Sequence, residues 1–351
     1  MSLIHAPFTT RRRDDRRGSV ISTLIGSELA IVLMVLVAFG AALLAGADPH
    51  DVNAHSSPDK LRPIRGLAVA GSERKLLAVL SDDRCVVHDL AHSEVYGIWL
   101  RSGEERVTAM AGSPTDNLIL LCRNVGRLHL LDSRSGDILW TQRIESGEST
   151  SATFSPNGSL IAVGTNEGQI SLLAIDSGGV RQTLRGCNSV HSICFTPDGK
   201  QVVAPYNGTE VGVWDVATGC EVRRLAVPGG QATSLAIHPD GRKLAVSTYQ
   251  GATLLLDFVT GELIRNYHDS YLPMTNVAFS PDGSEVIAAG CDGKVRWFSS
   301  DSQLAVHTFT AHKDSVRSIA FIGDMLVSGG YDGAVRAWNV EANEELPLDV
   351  R

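Results

Sequence analysis

The side chains able to do acid–base, nucleophilic or metal chemistry are scattered along this chain rather than grouped. Eleven histidines occur in 351 residues, with no His-Glu-x-x-His pair and no other paired metal-ligand spacing. Six cysteines (Cys85, Cys122, Cys187, Cys194, Cys220 and Cys291) form no Cys-x-x-Cys pair and no zinc-finger spacing. They read as separate thiols rather than a disulfide framework. No Gly-x-Ser-x-Gly elbow is present to expose a serine nucleophile, and no glycine-rich loop leads into a helix to cradle phosphate. The expectation is a protein that is not an enzyme and has no resident metal or cofactor.

Charge narrows the partners. The net charge is −8, yet residues 1–47 hold five arginines against Asp14, Asp15 and Glu28. That segment therefore carries +2 and the remainder −10. An acidic body lacks the basic surface that nucleic acid or anionic lipid would require, so no nucleic-acid partner is expected.

The five arginines precede "LAIVLMVLVAFGAALLAGA" (29–47), which contains no charge. At about 1.5 Å per residue this run reaches roughly 28 Å, close to the hydrocarbon thickness of a bilayer. The arginine bias places the N-terminus in the cytoplasm. The expected organisation is a basic cytoplasmic tail (1–17), a transmembrane helix acting as a signal anchor (18–47), a polar linker (48–62) and an extracytoplasmic domain (63–351), making a single-pass membrane protein. "AGA" (45–47) also has the form of a signal-peptidase site, so cleavage after Ala47, releasing a secreted or periplasmic domain, stays open.

From residue 64 one pattern returns seven times: "IRGLAVAG", "VTAMAGSP", "STSATFSP", "VHSICFTP", "ATSLAIHP", "MTNVAFSP" and "VRSIAFIG". The copies start at residues 64, 107, 149, 190, 232, 274 and 316, a period near 42. Each copy continues through a Pro-Asp-Gly type turn, a β-rich run, a tight turn such as "CDG" or "YDG", and a third strand such as "VGVWD" or "VRAWN". A fourth strand follows. One four-stranded sheet cannot cover both its faces, but seven arranged radially cover one another. The fold class expected is all-β, a seven-bladed β-propeller of four-stranded antiparallel blades, preceded by one transmembrane α-helix.

"VWD" (213–215) and "AWN" (337–339), with degenerate forms elsewhere, make residues 63–351 resemble the WD-repeat family of propellers. The resemblance implies a supporting tetrad of His, Ser or Thr, Asp and Trp. Only the seventh repeat holds the full set: His312, Ser328, Asp332 and Trp338. It also implies that two sets of residues surround the channel mouth on one face. The second residues of the inner strands are Arg65, Thr108, Thr150, His191, Thr233, Thr275 and Arg317. The residues before the second-to-third strand turns are Ser81, Arg123, Thr165, Tyr206, Tyr249, Cys291 and Tyr331. The first set has no carboxylate and one histidine, which leaves the alternative of a lactonase-like channel-mouth hydrolase short of metal ligands. The candidate binding residues are Arg65, Arg123, His191, Tyr206, Tyr249, Arg317 and Tyr331, because arginine and tyrosine dominate interface energies. If the ring closes, Arg317, Tyr331, Arg65 and Arg123 come together. A basic, aromatic spot on an acidic body suits an acidic peptide segment. The expected function is a membrane-anchored, non-enzymatic protein–protein interaction scaffold.

Overall fold

A computed structural model describes residues 62–346, apart from 73–75, 82–83, 91–93, 100–105, 187, 269, 303–304 and 340–343. The tail, the segment 18–47 and all but the last residue of the linker lie outside the described residues. Among those described, no helix is long and apolar enough to cross a membrane.

Seven antiparallel sheets of four strands follow one another along the chain, and in each the strand order is the sequence order. Blades 1–7 span residues 64–99, 107–143, 149–184, 194–226, 232–268, 274–310 and 316–346. The inner strands of neighbouring blades lie side by side, and that of blade 1 (Ile64–Ala70) meets that of blade 7 (Val316–Ile322), closing the ring. Blade 7 supplies its own outer strand, Glu344–Leu346, paired with Val335–Asn339. Apolar side chains fill every seam. At the closing seam, Ile64, Leu77 and Val79 of blade 1 bury against Val327 and Ala337 of blade 7. Burial of such surface, worth about 25 cal/mol per Å2, is what a single blade could not achieve alone.

The turns show why glycine recurs. Gly293, between the second and third strands of blade 6, has φ +74°, and a Cβ there would lie 2.3 Å from the His312 carbonyl oxygen. The same turn in blade 5 uses Gly251 (φ +88°), where a Cβ would lie 2.2 Å from the Ser270 carbonyl oxygen. Both need the left-handed conformation and a backbone approach that only hydrogen permits.

Blade 4 departs from the expected pattern. The repeat predicts an inner strand from residue 190, but only Cys194–Phe195 pair, with Val203 and Val202. The ladder bond from the Thr196 N–H to the Gln201 carbonyl sets the alternation, so Gln201, Val203 and Pro205 occupy the hydrogen-bonding positions. Pro205 has no N–H to give, and the ladder opens at the channel mouth.

Candidate functional site

In blade 7 the four residues of the expected tetrad form one hydrogen-bonded line. The Trp338 indole N–H donates to Ser328 Oγ at 3.0 Å, and Ser328 Oγ lies 2.9 Å from His312 Nε2. His312 Nδ1 lies 2.9 Å from Asp332 Oδ1. With its proton on Nδ1 the ring donates to the carboxylate and Nε2 accepts from the serine hydroxyl, and Arg336 Nη1 also lies 2.7 Å from Nδ1. Burial would raise the Asp332 carboxyl, but the Lys313 N–H, the His312 ring and the Ala334 N–H outweigh it and hold it down to about 2. Burial also lowers His312 below its ordinary value, so the ring stays neutral. Arg336 shares the carboxylate, at 3.2 Å from Oδ2. Blade 6 carries a reduced version in which Arg296, almost fully buried, pairs with Asp292.

The other recurring aspartates build turns. Asp215 Oδ1 accepts from the Thr218 N–H and hydroxyl, both at 2.8 Å, and Asp257 Oδ1 accepts from the Val259 and Thr260 N–H groups. These bonds hold both carboxyls below their ordinary value. Among the described residues no group of three or more His, Cys, Asp and Glu side chains is placed to hold a metal.

The first predicted ring is divided between two roles. Three of its four threonine hydroxyls bridge blades, while that of Thr233 stays within blade 5, 2.9 Å from Ser247 Oγ. Thr108, Thr150 and Thr275 donate to the carbonyls of Ser149, Val190 and Val316, the first repeat residue of the next blade, at 2.6, 2.6 and 2.7 Å. One residue later, serine does the same work in reverse. Ser192, Ser234 and Ser318 accept from the N–H groups of Leu235, Val277 and Leu67. Six seams are held by a hydroxyl in this way. In the seventh, blade 1 offers Arg65 and Gly66 at these positions, and neither has a hydroxyl. Arg65, His191 and Arg317 are the ring members that carry no hydroxyl.

The second predicted ring is corrected: it mixes two register positions. Ser81, Arg123 and Thr165 pair with the first inner-strand residues Ile64, Val107 and Ser149. In blades 5–7 that position belongs to Thr248, Gly290 and Gly330. Tyr249, Cys291 and Tyr331 stand one residue further on. A one-residue step turns a strand side chain to the opposite side, so Thr165 is fully buried while Tyr331 is 42% exposed. The spacing to the turn glycine carried the signal: Thr165 lies three residues before Gly168, whereas Tyr249 lies two before Gly251.

Two groupings result. In the first, the Arg317 guanidinium sits 5.9 Å from the centre of the Tyr331 ring, a cation–π geometry. Burial lowers the Arg317 pKa, and the adjacent Arg65 charge lowers it further, while Cys291 and Tyr331 oppose this. Cys291 in turn acts on Tyr249 and bonds through its N–H to the Pro273 carbonyl at 2.9 Å. Tyr271, in that same connection between blades 5 and 6, is 99% exposed, and its loop is fixed by the Ser270 hydroxyl bonding both the N–H and the carbonyl of Leu272. Sequence reasoning gave Tyr271 no role because exposure of a loop tip is not written in its neighbours. Arg123 lies on blade 2, in the second strand (Leu118–Arg123). The second grouping is His191 with Tyr206, which line a separate cavity of about 280 Å3 at the seam of blades 4 and 5.

Comparison with known proteins agrees with this architecture. Residues 261–299 and 304–339 match the family model described as WD domain, G-beta repeat. Residues 152–230 match the Anaphase-promoting complex subunit 4 WD40 domain. The chain is similar to Telomerase protein component 1 of Mus musculus, 32% identical over 55% of this chain and 7% of that protein. It is similar to Echinoderm microtubule-associated protein-like 2 of Rattus norvegicus, 26% identical over 78% of this chain and 41% of that protein. It is also similar to the Target of rapamycin complex subunit wat1 of Schizosaccharomyces pombe, 25% identical over 47% of this chain and 54% of that protein. The chain thus spans from 7% to about half of the length of these relatives.

Proposed function

Because the chain is a WD-repeat propeller, we propose that it serves as a non-enzymatic docking scaffold, anchored in a membrane by residues 18–47 and recognising an acidic protein segment at its channel mouth. The observation that carries the recognition is the Arg317–Tyr331 pair with Arg65 beside it, on a body that is otherwise acidic. A cation and an aromatic ring held together are pre-organised, so little freedom is lost on binding. Tyr249 and the protruding Tyr271 extend the same surface across blades 5 and 6. The names of the similar proteins, a telomerase component, a microtubule-associated protein and a complex subunit, support a role in assemblies.

A fluorescent decaglutamate peptide is the test. The full chain is expected to bind it in a salt-sensitive manner and to ignore decalysine. Arg317→Glu with Tyr331→Ala should weaken the decaglutamate complex at least tenfold and leave the melting temperature unchanged. Equal binding of the two peptides, or undiminished binding by the folded variant, would overturn the site.

The membrane anchoring has its own test, protease treatment of intact cells carrying a tag after Arg351. Digestion of the tag is expected, because the arginines before residue 18 keep the N-terminus in the cytoplasm. A protected tag rejects the orientation. A mature chain shortened by the mass of residues 1–47 rejects the anchor in favour of release after Ala47.

A further inference from the structure

A cavity lies at the seam of blades 4 and 5, beside the point where Pro205 interrupts the inner ladder, and its lining combines six polar side chains with Pro205, Gly208 and Ala232. Asn188, Ser189, His191, Tyr206, Asn207 and Gln231 are the polar part of the lining of this cavity of about 280 Å3. That is just under the roughly 300–1,000 Å3 typical of cofactor and drug-sized sites, and it is room for a side chain. All six are hydrogen-bonding groups, and none carries a charge while His191 is neutral. Burial pushes the His191 imidazole below its ordinary value and keeps it so. The Ser189 hydroxyl oxygen is buried and has no hydrogen-bond partner. A buried hydroxyl left in that state costs about 1–3 kcal/mol, which an occupant that bonds it would recover.

The neighbouring charges are already engaged. Arg224 pairs with Glu221 at 2.7 Å and bonds the Tyr206 hydroxyl, and Glu210 accepts from the Asn207 amide at 2.8 Å. A carboxylate entering the cavity would lose its water and meet no uncommitted cation, and an ammonium would fare no better. An aliphatic side chain would leave Ser189 and the amides unsatisfied. A sugar would need a ring face to stack on. The Tyr206 ring is already engaged, with Arg224 3.8 Å from its centre and Trp214 stacked at 6.3 Å between ring centres.

We propose that this cavity is a subsite for a carboxamide side chain, the glutamine or asparagine of a bound peptide, which both donates and accepts without charge. The proposal rests on the reading of this face as a peptide-docking surface and adds a specificity element at a separate place on it. Ser189, Gln231 and His191 provide the complementary acceptor and donor set.

Saturation-transfer NMR on the full chain at pH 7 tests this with N-acetylglutamine methylamide, its N-acetylglutamate counterpart and glucose. The glutamine probe is expected to bind saturably, with the glutamate probe at least about tenfold weaker, as for sites built around hydrogen bonds. Ser189→Val combined with Gln231→Leu should lower the affinity for the glutamine probe at least about tenfold. If that double variant does not fold, Gln231→Leu alone, at the exposed rim, is expected to weaken the probe in the same direction. Glutamate or glucose binding as tightly as glutamine, no saturable glutamine binding, or full affinity in the folded variant would overturn the subsite. None of these outcomes alters decaglutamate binding at Arg317, so the two readings fail separately.

Discussion

Asp332→Ala is expected to lower the unfolding free energy by about 1–3 kcal/mol, read as a lower urea midpoint with an unchanged slope. The side chain accepts from the Lys313 and Ala334 N–H groups, from His312 and from Arg336. Its removal orphans the buried His312 ring and leaves the Lys313, Ala334 and Arg336 donors without their carboxylate. The pH profile sharpens the test. The folded carboxyl titrates at about 2, against an ordinary 3.8. A depressed carboxyl adds stability that is complete above the higher value, here about 2 kcal/mol, and lost as pH falls from about 4 to about 2. The gap between wild type and Asp332→Ala should therefore narrow over that window. His312 acts earlier. Its folded pKa lies below the ordinary 6.5, so the unfolded chain binds a proton first and stability starts to fall below that pH. An unchanged midpoint for Asp332→Ala, or a gap that persists at pH 2, would refute the supporting role of this network.

Gly112→Val should destabilise the ring by roughly 3 kcal/mol, through overpacking at the seam of blades 1 and 2. This seam lacks the inner hydroxyl bridge found at the other six. It relies on close backbone approach: a Cβ on Gly112 would stand 2.3 Å from the Val69 carbonyl oxygen and 3.1 Å from the Ala70 methyl. The obstacle is main chain, so no rotamer change relieves it. Next to it, the Gly71 N–H is shared between the Ser113 and Asp116 carbonyls at 3.0 and 3.1 Å. Hydrogen exchange should accelerate at Gly71 in the variant, before any change at the blade 7 network. A midpoint within 0.5 kcal/mol of wild type would refute the close-approach account, since surface changes lie within about that range.

Most of the fold was legible because its determinants are local and repeated. The Pro-Asp-Gly turns, the tight glycine turns and the apolar runs recur near every 42 residues, and six of the seven inner strands begin where the repeat places them. His312, Ser328, Asp332 and Trp338 were legible as a set for the same reason, since strand pairing within one blade brings them together. Pro205 was visible too, but its consequence depended on which residues of its strand donate to the ladder, and only the register decides that.

What the sequence by itself determined was the number of blades, their strand order and the residue types offered at the channel mouth. The tertiary structure alone decided which of those side chains are tied into the seams between blades. The angle between neighbouring blades turns the Thr108, Thr150 and Thr275 hydroxyls onto carbonyls some 40 residues away, while it leaves Arg317 against Tyr331 and His191 beside an opened ladder. The reason is physical: a repeat encodes each blade through short-range turns and alternation, but a seam is a contact between two blades, and its hydrogen bonds exist only once those two blades have packed.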